Sequence, residues 1–395
     1  MIISSFLFMS IIVGIAPEDP NPIKFERVVI DDNFPGGYQV EVADVDGDGK
    51  PDIVALGGST CVWYQNPTWK KRVISTSKET PGIISSATRD LDGDGKAEVA
   101  IAFEFSMNQP KNGKILLARQ GKSSDDPWTF APIADLGSVH RLRWGDLDGD
   151  KTPELVAAPI FGMSATPPLF QEEGARIRIF TLHKANDKIA FQESIIDHPL
   201  HVLHAIDIIE RNGEGWSEIL TASNAGVVAF AVSKRVIPAI SARLAWSITL
   251  GTRGASGIAP KCGSSEVHVG KLHGTEPFQA TIEPWHGNEV AAFRNAGGNQ
   301  VREVLDDTLD DGHALWVVDA DGDGNDDIFA GHRGKDARVS IYRHDGKIWL
   351  KTVLDHDVAA QDLRGGDLDG DKVPDIVAIG GKTKNVVWYR PIRSK

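Results

Sequence analysis

The sequence predicts an all-β protein, a seven-bladed β-propeller with four-stranded blades. Three observations lead to this prediction: a loop motif that recurs along the chain, a separate count of aromatic-led strands, and an N-terminal strand that has no hairpin of its own. Self-similarity at a regular spacing indicates a repeat fold, in which each unit packs against its neighbours. The length of 395 residues, which alone would suggest two or three domains, is therefore assigned to one repeat array.

The loop motif is an apolar run, an Asp- and Gly-rich tight loop and a β-branched run, as in DVDGDGKPDIVALGG. This order is typical of a β-hairpin. Intact copies begin at Asp44, Asp90, Asp146, Asp319 and Asp367. The long gap between the third and fourth copies holds two degraded ones, around Asp207 and Lys271, so that the total is seven.

The second count does not depend on the loops. Strands that mostly begin with an aromatic residue and end with an aliphatic one recur between the hairpins, at Trp69, Trp128, Phe191, Trp246, Gln300 and Trp349. A seventh, FERVVI at Phe25, precedes the first hairpin. We therefore expect the Phe25 strand to complete the last blade and to close the ring, which removes exposed sheet edges. A linear solenoid, the main alternative, caps its ends rather than pairing them.

The first 16 residues, MIISSFLFMSIIVGIA, have the character of a signal peptide. They are apolar but too short to span a bilayer comfortably, and PEDPNP follows at once. We expect residues 1–16 to be a signal peptide and residues 23–395 to form one propeller. The protein would then be secreted or periplasmic, with no membrane span after signal removal; an uncleaved N-terminal anchor is the alternative.

The net charge and the two cysteines give two further expectations, one about nucleic-acid binding and one about disulfides. The formal net charge is −13 and no basic run is present, which argues against a nucleic-acid partner. Cys61 and Cys262 fall in blades 1 and 5, which are not neighbours in a ring of seven. We therefore expect two buried thiols and no disulfide.

Carboxylates stand at relative positions 1, 3, 5 and 9 of each intact loop. Like charges packed this closely are unfavourable unless a hard cation lies among them, and Ca²⁺ takes about six to eight oxygen ligands. Blades 4 and 5 lack the full set, so the sequence predicts about five structural Ca²⁺ sites. The predicted ligands are Asp44, Asp46, Asp48, Asp52, Asp90, Asp92, Asp94, Glu98, Asp146, Asp148, Asp150, Glu154, Asp319, Asp321, Asp323, Asp327, Asp367, Asp369, Asp371 and Asp375.

The loops and their spacing resemble those of FG-GAP/VCBS repeat propellers, which include integrin headpieces and several carbohydrate-active enzymes. The resemblance covers residues 25–390. It implies that calcium stiffens each hairpin and takes no part in chemistry.

Residues for chemistry are expected at the other end of the hairpins, which we call the mouth. There the start of the first strand of a blade meets the end of the second. Six residues before the first loop position stand Tyr38, Ile84, His140, His201, Ser265, His313 and Gln361. The ends of the second strands contribute Glu104, Asn224, His286, His332 and Arg333. Three residues before the loop is a polar ring of Glu41, Arg143, His204, His268, Trp316 and Arg364.

By this count seven of the 12 histidines converge on the mouth or the upper channel. A cluster of imidazoles with Arg and Glu suits general acid–base catalysis or a metal site, because histidine titrates near neutral pH. The alternative for each single histidine is a hydrogen-bonded residue that lines the channel.

Several segments are similar to the propeller domain of aldos-2-ulose dehydratase (1,5-anhydro-D-fructose dehydratase) and its bacterial relatives. The segments are residues 264–272, 281–293, 306–324, 330–334 and 359–362, so the resemblance is strongest over the last third. The cupin domains that follow the propeller in the fungal enzyme have no counterpart in this sequence, and only the dehydratase half is carried over.

The resemblance implies a lyase that performs β-elimination on a keto-sugar, either an aldos-2-ulose, 1,5-anhydrofructose or a 3-keto-glycoside. His140 and His201 are then the expected acid/base pair. His204, His286, His313 and His332 are expected to bind the carbonyl or a divalent metal such as Zn²⁺, and Arg143 to stabilise the enolate. The expected contacts of the sugar or glycoside substrate are Tyr38, Glu104, Trp285, Arg333 and Gln361.

Two other functions stay open, because one propeller fold hosts many. The first is a non-catalytic, integrin-like calcium propeller that binds carbohydrate or protein; the number of converging histidines argues against it. The second is a uronate polysaccharide lyase, which needs a basic groove. Arg141, Arg143, Arg333 and Arg364 favour that function, and the overall acidity does not.

Overall fold

Seven antiparallel sheets form the blades of the predicted propeller. The computed structural model describes residues 10–185, 188–211, 216–236, 239–249, 262–296 and 299–392. The first strands of successive blades contact one another around the whole ring, and blade 7 meets blade 1. These first strands therefore line a central channel, and the predicted fold class is confirmed.

Each blade is a meander whose first strand lies at the channel. Blade 1 contains the strands Gly37–Ala43, Asp52–Gly57, Thr60–Gln65 and Lys70–Ser75, and blade 2 contains Ser85–Arg89, Glu98–Phe103, Lys114–Arg119 and Thr129–Asp135. Blade 3 contains the strands Val139–Gly145, Glu154–Pro159, Arg178–Ala185 and Lys188–Ile195, and blade 4 contains Ala205–Arg211, Trp216–Ser223, Gly226–Val236 and Ala239–Thr249. In blades 5 and 6 they are Glu266–Leu272, Glu276–Glu283, Glu289–Ala296 and Asn299–Asp306; Gly312–Val318, Asp327–His332, Arg338–His344 and Trp349–Asp355.

Blade 7 is completed by the N-terminal strand, as predicted. Ala360–Gly366, Asp375–Gly380 and Asn385–Pro391 form its first three strands, and Phe25–Asp31 pairs antiparallel with the third. Closure in this way leaves no open edge between the two ends of the ring.

A further short strand, Ser10–Val13, runs parallel to Asn299–Asp306 at the outer edge of blade 5. Residues 1–9 of the predicted signal peptide lie outside the described residues. Within the part of the chain that the structure describes, no helix is long and apolar enough to cross a membrane.

The core consists of apolar layers between neighbouring blades. Every residue of Asp52–Gly57 and of Asp375–Gly380 is buried, because both faces of an inner strand are covered by adjacent blades. This explains why the second strands are continuous apolar runs rather than alternating ones. Cys61 and Cys262 are both buried and free.

Candidate active site and metal centres

The acidic loops are folded around their first aspartate. The carboxylate of Asp44 accepts hydrogen bonds from the backbone N–H groups of Gly47 and Gly49, both at 2.8 Å. The later glycine has a φ of +84°, in the left-handed region that favours glycine. In blade 3 Lys151 adopts this conformation with φ +70°, and its N–H donates to Asp146 at 3.0 Å. The loop geometry is thus retained without glycine.

Carboxylate oxygens converge in these loops. Within each of four described groups the candidate ligand atoms lie within 4.8 Å of one another: Asp44, Asp46 and Asp48; Asp90, Asp92 and Asp94; Asp146, Asp148 and Glu154; Asp319, Asp321 and Asp327. The carboxylate at the ninth position is the most buried of the set. Burial, and secondarily the neighbouring carboxylates, raise the pKa of Asp52 to about 7 and that of Glu154 to about 8. A cation in the loop would remove this penalty.

Two buried oxygens in these loops test whether a cation fits. Oε1 of Glu154 and Oδ1 of Asp327 are buried and have no hydrogen-bond partner. Such oxygens are costly unless something coordinates them. Hard oxygen donors of this kind suit Ca²⁺, which would be held by the carboxylates of each loop.

A cluster of four histidines, which we call the histidine cluster, lies at the mouth. It consists of His140, His204, His286 and His313. The centroid of the His204 ring lies 4.8 Å from that of His140, 4.7 Å from that of His286 and 5.1 Å from that of His313. Their positions follow from the strand ends, since His140 and His313 are second residues of first strands and His204 directly precedes one.

Backbone carbonyl groups fix the tautomers of three of these rings. Nδ1 of His140 lies 3.1 Å from the carbonyl oxygen of His204. Nδ1 of His204 lies 2.8 Å from the carbonyl oxygen of Ser265, and Nδ1 of His313 lies 2.7 Å from that of Gln361. A carbonyl oxygen only accepts, so each Nδ1 carries the proton and each Nε2 presents a lone pair. Each carbonyl comes from the following blade, and the ring of blades therefore orients the rings of the histidines.

His286 completes the cluster from the end of a second strand. Its Nε2 lies 3.0 Å from Nε2 of His204, and its Nδ1 lies 3.2 Å from Nη2 of Arg333. The indole of Trp285 stacks on the His286 ring at 4.4 Å. His286 has a φ of +47°, so this turn directs the imidazole inward at the cost of a left-handed backbone.

Three members of the cluster could hold a metal ion. The candidate ligand atoms of His204, His286 and His313 lie within 4.8 Å of one another. Burial, and then the nearby Arg333, hold the pKa of His313 well below its usual value, and burial also lowers that of His204. The imidazoles of His204 and His313, whose Nδ1–H groups donate to carbonyls, have the usual form of metal-binding histidine. The donor set suits Zn²⁺ with a position left for substrate.

The wall of the mouth on the side of blades 6 and 7 is polar. Arg333 donates from Nε to Asp311 at 2.9 Å and from Nη1 to the side chain of Gln361 at 2.7 Å. On the opposite side a buried apolar group of Phe161, Phe170, Val202 and Trp285 is joined by the partly buried Phe105 and Met107. Polar groups on one side of the histidine cluster and apolar side chains on the other thus border it.

Tyr38 and Arg141 border the cluster at blades 1 and 3. The phenolic oxygen of Tyr38 lies 2.9 Å from Nε2 of His140 and 3.3 Å from Nη1 of Arg141. Arg141 also reaches Glu266 at 3.5 Å, and the same Glu266 oxygen lies 3.2 Å from Nδ1 of His204.

Arg143 lies in a second ring of charged groups deeper in the channel. Its guanidinium is 3.8 Å from Glu41, and burial, with the nearby Arg364, lowers its pKa to about 10. In the same ring Nδ1 of His268 lies 3.1 Å from Asp207. The described contacts of Arg143 are to this ring rather than to the histidine cluster.

Three expected site residues have their described contacts elsewhere. Nδ1 of His201 lies 3.4 Å from the carbonyl oxygen of Phe170. His332 contacts the backbone of Asp310 through Nδ1, at 3.1 Å from its oxygen. Glu104 pairs with Lys114 at 2.9 Å. In contrast, Tyr38, Trp285, Arg333 and Gln361 do contact the cluster.

Two acidic residues at the mouth were not predicted. Asp311 holds Arg333, and Glu266 lies between Arg141 and His204. Both directly precede or begin the first strand of a blade, and Asp311 lies in the segment 306–324 that carries the dehydratase resemblance. Their position next to the start of a first strand could have identified them as candidates. The prediction used only the residues six and three positions before each loop and the ends of the second strands, and neither Asp311 nor Glu266 is among these.

Family models match two parts of the chain. Residues 44–101 match the FG-GAP-like repeat, and residues 113–296 match the β-propeller domain of aldos-2-ulose dehydratase. The second match includes segments 264–272 and 281–293 but lies mainly in the middle of the chain, not in the last third where the resemblance was expected to be strongest. No curated protein matches the chain.

Solved structures share the fold. BBS1N, solved in complex with ARL6DN, is 12% identical with a TM-score of 0.55, and the match covers 92% of this chain and 94% of that one. A lectin from Agrocybe aegerita that recognises non-reducing terminal N-acetylglucosamine is 15% identical with a TM-score of 0.52, over 91% and 87% of the two chains. At these identities the likeness shows the fold alone. The chain is thus a seven-bladed β-propeller with an FG-GAP-like repeat, related through residues 113–296 to the propeller domain of aldos-2-ulose dehydratase.

Proposed function

We propose that the protein is a secreted or periplasmic lyase that eliminates water or an alcohol from keto-sugars. The observation that carries this proposal is the histidine cluster, in which His204, His286 and His313 bring three candidate ligand atoms within 4.8 Å of one another beside a fourth histidine, His140. Calcium in the acidic loops would hold the hairpins and leave the chemistry to the mouth.

His204, His286 and His313 would bind a divalent ion such as Zn²⁺. The ion would supply Lewis acidity toward the ketone oxygen of the sugar. Burial lowers the pKa of His204 and His313, and their Nδ1–H bonds to backbone carbonyls orient both rings so that each Nε2 presents a lone pair.

His140 would supply the basic nitrogen that drives the elimination. Burial, and then the nearby Arg141, hold the pKa of His140 well below its usual value, and its Nδ1–H bond to a carbonyl leaves Nε2 with a lone pair. Loss of the proton next to the ketone leaves an enolate, and the carbon–oxygen bond β to the ketone then breaks. The departing oxygen takes a proton and leaves as water or an alcohol.

The polar wall would orient the sugar. Arg333 is held by Asp311 and Gln361, and it can direct its remaining N–H groups to sugar hydroxyl groups. Trp285 already stacks on His286, and its position between the apolar group and the cluster suits the face of a sugar ring.

The test is incubation of the zinc- and calcium-replete protein with 2-keto and 3-keto sugars, including 1,5-anhydrofructose, while enone absorbance in the ultraviolet is followed. Enone formation that is lost in His140→Gln and in His204→Gln supports the proposal. The exposed His183 on blade 3 provides the matched control, His183→Gln. A folded, metal-replete protein that forms no enone from any of these sugars would overturn the proposal.

A further inference from the structure

The phenol of Tyr38 occupies the lone pair that the proposed base would use. Nδ1–H of His140 is committed to the carbonyl oxygen of His204 at 3.1 Å, so its Nε2 can only accept. The phenolic oxygen of Tyr38 is the group at that nitrogen, at 2.9 Å. We propose that Tyr38 exchanges protons with the substrate, and that His140 acts only through it. This inference rests on the proposed function and concerns the same site.

Access to the two side chains favours the same assignment. The His140 residue is only 3% exposed, and its ring packs against those of Phe105 at 5.5 Å and His204 at 4.8 Å. Tyr38 is partly exposed, at the start of the first strand of blade 1. A substrate in the mouth can therefore reach the phenol without displacing it, whereas reaching Nε2 of His140 requires that the Tyr38 bond be broken.

Arg141 is placed to stabilise the phenolate. Its Nη1 lies 3.3 Å from the phenolic oxygen, and its guanidinium carbon lies 5.3 Å from the centre of the Tyr38 ring. Among the described residues, the charged and titratable groups in contact with Tyr38 are Arg141, His140 and His313, the last with its ring 5.5 Å away. A fixed cation beside an oxygen that becomes negative during the reaction is an efficient stabiliser, because it needs no rearrangement.

The proton balance of the step is complete within these residues. Tyr38 passes its proton to Nε2 of His140, and the phenolate then takes the proton from the carbon next to the ketone; the electron pair of that bond forms the enolate. The β carbon–oxygen bond breaks, its electron pair stays on oxygen, and that oxygen takes the proton from Tyr38. His140 returns its proton to the phenolate, and the products are an enone and water or an alcohol.

The decisive variant is Tyr38→Phe, which keeps the ring and removes only the hydroxyl. We expect kcat to fall about 10²- to 10⁴-fold, the usual contribution of a general acid–base group, with KM and zinc content unchanged. Tyr64→Phe is the matched control, because its phenol donates to Asp31, away from the mouth, and it should keep its kcat under conditions where it is folded.

A second measurement separates proton transfer from a structural role. Replacing the four tyrosines by 3-fluorotyrosine makes each phenol more acidic. We expect the pH–rate profile of kcat to move toward lower pH in the fluorinated protein, and Tyr38→Phe to show no such shift.

The outcomes distinguish the two proposals. Enone formation by the unmodified protein, with kcat and pH profile unaltered in Tyr38→Phe, overturns the role of Tyr38 and leaves the lyase intact. Loss of zinc together with activity in Tyr38→Phe also overturns it, since the phenol would then be structural. If the unmodified protein forms no enone at all, the lyase proposal falls and the role of Tyr38 falls with it.

Discussion

The phenolic oxygen of Tyr64 lies 2.6 Å from a carboxylate oxygen of Asp31, and this bond joins blade 1 to the strand that closes the ring. The same arrangement recurs twice, at 2.6 Å, between Tyr342 and Asp306 and between Tyr389 and Asp355. In each pair the tyrosine lies on the third strand of one blade and the aspartate ends the fourth strand of the preceding blade. These pairs therefore fasten successive blades to one another at their outer side.

Removing one phenol tests this role. Tyr64→Phe should lower the free energy of unfolding by about 1.5 to 3 kcal/mol, because it deletes a hydrogen bond to a charged group and leaves Asp31 with fewer donors. Urea unfolding followed by tryptophan fluorescence measures the change. Tyr38→Phe is the matched control, since the Tyr38 hydroxyl contacts His140 and Arg141 and fastens no carboxylate. Equal stability of the Tyr64→Phe and unmodified proteins would contradict the role.

The same pairs predict a loss of stability in acid. Burial opposes ionisation of Asp355, but hydrogen bonds from Tyr389 and Arg27 outweigh it, and the net pKa lies below the ordinary value. The same balance, with Lys351 as the main donor, lowers the pKa of Asp306. The unfolded chain then binds more protons than the folded one below about pH 4, so this stabilisation is complete above that pH and is lost as the pH falls through the folded pKa.

Asp355→Asn provides the measurement for this pH dependence. The variant should be less stable than the unmodified protein at pH 7, and the difference between their melting temperatures should shrink below about pH 4. Asp307→Asn, at an exposed position, is the control and should track the unmodified protein. A difference for Asp355→Asn that stays constant from pH 7 to pH 3 would rule out the linkage.

The ring of blades was predictable because its signals are local. Each acidic loop and its flanking strands lie within about 15 residues, and the lone strand at Phe25 has no partner unless the ring closes. The Tyr–Asp pairs were not predictable in this way. Tyr64 and Asp31 are 33 residues apart and belong to different blades, so only the arrangement of the blades brings them together.

The sequence predicted the positions of His140 and His313 at the histidine cluster correctly, but not those of His201 and His332. His140 and His313 are second residues of first strands, where the side-chain direction is set by the pleat. In blade 4 the first strand begins at Ala205, so His201 lies in the preceding connection and contacts Phe170. His332 is the last residue of its strand and contacts Asp310. An offset fixes a position along the chain, but beyond the strand it does not fix where the side chain points.

Zinc content tests directly whether His204, His286 and His313 bind a metal ion. The unmodified protein should hold about one zinc ion per chain after dialysis, measured by elemental analysis, and His286→Ala should lose it, because two histidines bind Zn²⁺ far more weakly than three. His183→Ala, at an exposed outer position, should keep it. If His286→Ala retains the zinc of the unmodified protein, the group His204, His286 and His313 is not the site.

The acidic loops give a prediction that is independent of the mouth. Asp327 is fully buried at the ninth position of the blade 6 loop, and its Oδ1 has no hydrogen-bond partner. Calcium should raise the melting temperature, since a ligand that binds only the folded state adds about 2.7 kcal/mol per site at a free concentration 100 times its Kd. Asp327→Asn keeps the size of the side chain and removes the charge, so it should lose the share of this stabilisation that belongs to blade 6.

Melting curves in excess EGTA and in millimolar calcium measure this effect for Asp327→Asn. In EGTA the variant should equal or exceed the unmodified protein in stability, because burial and the neighbouring carboxylates raise the pKa of Asp327 and make its charge unfavourable without a cation. In calcium it should be the less stable of the two, whereas the exposed control Asp307→Asn should respond as the unmodified protein does. An equal response to calcium in Asp327→Asn and in the control would mean that the blade 6 loop holds no calcium, and that its carboxylates are buried at the expense of stability.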